Sequence, residues 1–273
     1  MPVHIATNGR RWRLLNGRRT ANLITVLSPH LDDAALSAWT LLTSGRRVRV
    51  VNCFAGIPPP GTSSRWDRAT GCPDSAVAVR RRRGEDAAVL AQAGLVPVNL
   101  DLVEVEYRDA GSDPLPELVA AVQPLLQGST RLWFPAAIGG QPDHVLVRRA
   151  AVRVAAPGTE LVAYADQPYA ALRGLPVSRS YRWLPAHCLT MRTNCRRPKA
   201  TWAAEVARAG LNRAPAVPTF NRLSPAQSRA KWAAVSQYRT QIAALGYARP
   251  WSRRLLLSYE AWWRLGLAPA AIR

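Results

Sequence analysis

Short continuous apolar runs alternate with helix-period segments over the first two thirds of the chain, and this alternation constrains the fold most. "NLITVLS" (22–28) is too short for a buried helix and lacks the polar alternation of a half-exposed strand. Such a run suits a parallel strand buried on both faces. "DDAALSAWTLLTSG" then reads as a helix with acidic residues in its first turn and Gly45 as its stop. The pattern repeats through strand "RRVRVVNCFAG", helix "SAVAVRRRRGEDAAVLAQAG", strand "VPVNLDL", helix "PELVAAVQPLLQ", strand "RLWFPAA", helix "HVLVRRAAVRVAA" and strand "ELVAYAD". Strands alternating with helices imply βαβ units, right-handed crossovers and a mostly parallel sheet, an α/β fold.

From about residue 170 the pattern loosens. "YRWLPAHCLTM" reads as a strand, and "SPAQSRAKWAAVSQYRTQIAAL" and "RRLLLSYEAWWRLG" read as helices, of a C-terminal extension packing on the sheet. The 273 residues are expected to form a single domain, with a core at 22–170 and an extension at 171–273 that shapes a substrate pocket. Residues 57–74 form a Pro/Gly/Ser-rich loop too long for a simple connector, of the kind that often carries function.

Composition narrows the classes. A hydrophobic fraction of 48% with ten tryptophans excludes a disordered chain. No apolar run reaches the ~18 to 20 residues of a membrane span. The basic N-terminal stretch lacks the apolar segment of a secretory signal, so a cytoplasmic location is the expectation. The net charge of +20 is almost wholly arginine, since only Lys199 and Lys231 are lysines. Those arginines are spread along the chain, which argues for a compositional habit over a nucleic-acid face. The four cysteines show no C-x-x-C spacing and are read as free thiols.

The chemistry concentrates at two strand ends. "SPHLDD" follows the first strand, and "GGQPDH" follows "RLWFPAA". Ligands of open α/β sheets bind outside the carboxyl ends of the strands. If these two strands are neighbours, His30, Asp33 and His144 converge on one point. Two histidines and a carboxylate are a normal set for a catalytic zinc that keeps one position for water. Water held there loses a proton more easily, and Asp32 is placed to take it as general base. Asp143 is a candidate for orienting a histidine or an oxyanion donor. Taken alone, "PHLDD" fits a capped helix equally well.

In these motifs the chain resembles the PIG-L/LmbE-like family of zinc-dependent N-acetylglucosaminyl deacetylases. "SPHLDDAALSAW" is similar to the family's P-H-x-D-D, and "GGQPDHVLV" to its H-x-D-H, with Gln141 where histidine is usual. Arg82 and Glu85 match an R-x-x-E helix pattern, and Lys231, Tyr238 and Gln241 match K-x-x-A…Y-x-[ST]-Q. The resemblance spans roughly 22–245 and implies a Rossmann-like sheet with helices on both faces. It implies His30, Asp33 and His144 as ligands of Zn2+ or another divalent metal, Asp32 as the base, and Arg82 as a substrate-binding candidate. It also implies an amino-sugar or glycosylated natural-product substrate, as in bacterial secondary metabolism. Gln141 can donate a neutral hydrogen bond but cannot carry the charge of an imidazolium. Altered metal-dependent chemistry is therefore the alternative, and a non-enzymatic polyanion-binding protein the third reading.

Overall fold

The computed structural model describes residues 22–172, 204, 206–208, 218–247, 253 and 257–268. Seven strands form one sheet: β1 (Leu23–Ser28), β2 (Val48–Asn52), β3 (Val98–Asn99), β4 (Ser129–Pro135), β5 (Glu160–Tyr164), β6 (Thr219–Arg222) and β7 (Tyr259–Leu267). Their order across the sheet is β3-β2-β1-β4-β5-β7-β6. The first five are parallel, and β7 and β6 add antiparallel at the far edge. The alternation of the sequence thus becomes the mostly parallel α/β sheet it predicts, in the Rossmann-like arrangement that the resemblance implies.

Both faces are covered, which is why the central strands are continuously apolar. Leu27, Leu132, Phe134 and Ala163 pack on one side with α4 (Leu115–Val122) and α5 (Pro142–Val154). Ile24, Val26, Trp133 and Val162 pack on the other. That side is covered by α1 (Asp33–Leu42), α3 (Ser75–Ala91) and a helix over Pro225–Val235, termed α7 below. Two shorter helices also lie among the described residues, α2 (Arg65–Ala69) and α6 (Tyr169–Leu172).

Two expectations for the C-terminal part need correction. The segment "RRLLLSYEAWWRLG" carries a strand, β7, where a helix was expected. Its Tyr259, Ala261, Trp263 and Leu265 alternate at period two and are all buried. Aromatic residues at that period suit a strand wedged between β5 and β6. The helix expected over 224–245 ends at Val235 and continues as turns. The strand read in "YRWLPAHCLTM", with His187 and Cys188, lies outside the described residues, as do His4 and Cys195. "VPVNLDL" keeps only the two ladder residues of β3.

One buried ion pair ties α7 to β7. Lys231 Nζ donates to Glu260 Oε1 at 3.0 Å, and both residues are buried. Glu260 also accepts from the Thr40 backbone N–H at 3.1 Å and from the Thr40 hydroxyl. Removing one partner of such a pair leaves an uncompensated buried charge. Lys231→Met is therefore expected to lower unfolding free energy by about 3–5 kcal/mol, read from urea denaturation.

Candidate metal centre

The Ser-Pro-His-Leu-Asp-Asp turn runs from the end of β1 into α1. Ser28, the last residue of the strand, does the capping: its Oγ accepts from the Ala34 N–H at 3.0 Å. The same hydroxyl donates to the His30 carbonyl at 2.7 Å. Asp32 is the N-cap by backbone, yet its side chain makes no cap hydrogen bond. The capped-helix reading of the motif therefore fails at Asp32. The carboxylate is left buried, 7% exposed, on the wall of a cavity of about 110 Å³. Burial, and then the neighbouring Asp33, push its carboxyl up to about 6, against the pull of Arg82 and His30.

Three side chains meet beside it. His30, Asp33 and His144 offer donor atoms that all lie within 4.8 Å of one another. Asp33 Oδ2 lies 3.2 Å from His30 Nδ1 and 3.2 Å from His144 Nε2, and it accepts from the His30 N–H at 2.8 Å. The convergence follows from the sheet order, because β1 and β4 are direct neighbours. His30 comes from the end of β1, and His144 from the first turn of α5 after β4.

Each imidazole is aimed by its own carboxylate. His30 Nε2 meets Asp143 Oδ2 at 3.0 Å, which turns Nδ1 toward Asp33. His144 Nδ1 meets Asp166 Oδ1 at 2.7 Å, which turns Nε2 toward Asp33. Asp143 is held in turn by the Val105 N–H at 3.0 Å and by Arg108 Nη2 at 2.5 Å. Burial would raise the Asp143 carboxyl, but His30, Val105 and Arg108 together bring it down to about 2. Asp166, fully buried just after β5, also accepts from the Ile138 N–H at 3.0 Å.

The residues present fit a divalent ion. His144 Nε2 is buried and makes no hydrogen bond of acceptable geometry, although an imidazole nitrogen so enclosed needs a partner. The donor set, two imidazole nitrogens and one carboxylate oxygen, is one that zinc accepts. Charge points the same way. Burial alone would make His144 less basic, yet Asp33 and Asp166 raise it to about 9. His30 is likewise raised despite burial, by Glu104, Asp143 and Asp33, while His144 and His30 hold the Asp33 carboxyl well below its usual range. The cluster holds positive charge firmly.

The other expected residues fall around this point. Gln141 is the N-cap of α5 and lines the cavity; its Oε1 accepts from the His144 N–H at 2.9 Å, leaving only its amide N–H groups to donate. Arg82 lines the cavity too, but its Nη1 donates to Glu104 Oε1 at 2.6 Å and the side chain is buried. The segment 57–74, expected as a loop throughout, folds a short helix at its centre, α2, whose Trp66 lines the cavity wall, and Trp66 Nε1 donates to Gln241 Oε1 at 3.0 Å. The two weaker sequence patterns meet one another. Thr240 donates to Glu85, Tyr238 Oη donates to Asp86 Oδ1 at 2.7 Å, and Asn52 Nδ2 donates to Asp86 Oδ2 at 2.7 Å. These contacts brace the cavity and do not face its centre.

Asp166 and Tyr169 were not singled out from the sequence, although "ELVAYADQPY" carries an aspartate at a third strand end. Carboxylates that orient metal-facing histidines typically change metal affinity by 10- to 100-fold when altered. Asp166→Asn is expected to weaken metal binding by about that factor, read by competitive titration with a chelator.

No family model matches the chain, and no curated protein matches it. Solved structures do. A zinc-inhibited form of teicoplanin deacetylase is 22% identical, with 89% of this chain and 97% of that one covered and a TM-score of 0.66. The deacetylase of the antimicrobial A40926 pseudoaglycone is 23% identical, covering 92% of this chain and 98% of that one, with a TM-score of 0.64. N,N'-diacetylchitobiose deacetylase from Pyrococcus horikoshii is 13% identical, covering 88% and 82%, with a TM-score of 0.50. The chain thus has the α/β fold on which these deacetylases are built. Among the described residues no helix is long and apolar enough to cross a membrane.

Proposed function

We propose that this protein is a metal-dependent amide hydrolase that removes an N-acyl group, most simply acetyl, from an amino sugar or a glycosylated natural product. One observation carries the reading: a buried, uncapped Asp32 stands beside the His30–Asp33–His144 cluster, on the wall of one cavity. The fold shared with deacetylases of glycosylated substrates supports the same class.

His30 Nδ1, Asp33 Oδ2 and His144 Nε2 would hold the ion, with zinc the proposed metal and another divalent ion able to serve. When bound, such an ion supplies Lewis acidity and makes water easier to deprotonate. Asp32 takes a proton from the attacking water as its oxygen bonds to the amide carbon. The carbonyl electron pair moves onto oxygen. As the carbon–nitrogen bond then breaks, the proton on Asp32 passes to the leaving nitrogen, giving acetate and a free amine. Asp143 and Asp166 keep the two imidazoles in one tautomer and orientation throughout. Arg82, engaged by Glu104, contributes a fixed positive charge to the wall.

The test is incubation of zinc-loaded protein with a panel of N-acyl glucosaminides and glycoconjugates, scoring free amine and released acid. Amine release from at least one N-acetylated member supports the reading. Turnover that is absent across the panel, in protein shown to carry one ion per chain, would remove it.

A further inference from the structure

Hydrolysis of an amide needs a donor for the oxygen that becomes negative, and Gln141 alone offers only a carboxamide. Six side chains with hydrogen-bond donors other than the clustered histidines line the cavity: Trp66, Arg82, Gln141, Gln167, Tyr169 and Gln241. Three are engaged within the wall: Trp66 donates to Gln241, Gln167 Nε2 to Tyr259 Oη at 2.7 Å, and Gln241 Nε2 to Thr240 Oγ1 at 3.3 Å. Arg82 is engaged in part, its Nη1 donating to Glu104 while its Nε is buried without a partner among the described residues. Gln141 and Tyr169 are the two whose side-chain donors are not engaged at all among those residues.

Tyr169 has the better chemistry and the better seat. Its ring packs edge-on against His144, with centroids 5.2 Å apart and planes at 77°. Its hydroxyl has no hydrogen-bond partner among the described residues, although it stands beside a dense polar cluster. The segment that carries it is fixed from three sides. Asp166 holds His144, the Gln167 N–H donates to Ser37 Oγ at 3.1 Å, and the Gln167 side chain is anchored on Tyr259. A phenol is a stronger donor than a carboxamide, and hydrogen bonds to a charged oxygen are about twice as strong as neutral ones.

We propose that Tyr169 is a catalytic residue of the hydrolysis put forward above, its hydroxyl donating to the substrate carbonyl oxygen as negative charge develops there. The proton stays on the phenol; when the carbon–nitrogen bond breaks, the electron pair returns from oxygen to re-form the carbonyl. Gln141 is left to cap α5 and to act beside the tyrosine as a weaker donor.

This rests on the hydrolase reading, and the test separates the two. Zinc-loaded wild-type, Tyr169→Phe and Asp32→Asn proteins are assayed on p-nitrophenyl N-acetyl-β-glucosaminide for amine release, with metal content measured on each. Phenylalanine keeps the ring on His144 and removes only the hydroxyl. The expected result is a kcat lower by about 10²- to 10³-fold, with KM and metal content unchanged. A methylphosphoramidate of glucosamine, which resembles the tetrahedral species, should bind Tyr169→Phe more weakly by a similar factor, while glucosamine binding is unaltered. A Tyr169→Phe kcat within threefold of wild type would overturn the proposal and leave the hydrolase reading standing. Loss of metal together with activity would assign Tyr169 to packing on His144 and overturn it equally. A wild type as inactive as Asp32→Asn on this glucosaminide and on every other member of the N-acyl panel would remove the hydrolase reading, and the tyrosine's role with it.

Discussion

Asp32→Asn is expected to lower kcat by about 10³-fold while metal content and melting temperature stay near wild type. The isosteric amide keeps the shape of the cavity wall but cannot take a proton. Asp32 makes no cap hydrogen bond, so nothing in α1 is lost with it; Ser28 holds the start of that helix. The pH profile gives a second readout. Burial and Asp33 raise the Asp32 carboxyl to about 6, and the group works only when ionised. Activity should therefore climb with pH and level off above an acid limb at or below about 6, because a cation on the neighbouring ligands pulls the value down. An unchanged kcat in the asparagine variant would show that the base lies elsewhere.

Asp33→Ala is expected to abolish stoichiometric metal binding. Asp33 Oδ2 is the vertex shared by the cluster, 3.2 Å from each imidazole nitrogen that faces it. Two histidines alone are a poor site for zinc, which takes at least three protein ligands in catalytic centres. Elemental analysis after dialysis should fall from about one ion per chain to near none, with activity lost in parallel. The sign with pH follows from the same carboxylates. Asp33 and Asp166 favour protonated His144, raised to about 9, so protons and metal compete for one place. Affinity in the wild type should weaken as pH falls, with protons released on binding. Retention of a full equivalent of metal by Asp33→Ala would move the ion away from this cluster.

Much of the site was legible because two short motifs place their groups by local geometry. A histidine and two aspartates within five residues of a strand end can reach the crevice above it. The adjacency of β1 and β4 then brings in Asp143 and His144. Asp166 and Tyr169 escaped for the opposite reason. Each is a single common residue after β5, with no spacing to set it apart, and its role exists only through His144, 25 or fewer residues upstream in sequence. The misread of β7 has a different cause. A short run dense in leucine and tryptophan satisfies both helical and strand periods, and the decision is made by the open edges of β5 and β6. Local preference could not see those edges.

The paired orientation of the imidazoles also bears on how an ion would get in. Asp32, Asp33, Asp143 and Asp166 gather four carboxylates around the crevice against one direct guanidinium partner, that of Arg108. The chain as a whole carries +20. A divalent cation must therefore cross a repulsive outer field before it falls into a small attractive well. Screening lengths shrink to about 8 Å at physiological ionic strength, so salt would flatten the outer hill far more than the enclosed well. Loading and loss of the metal would then be governed by different parts of the same charge distribution, with entry sensitive to the surrounding medium and retention set by the buried carboxylates.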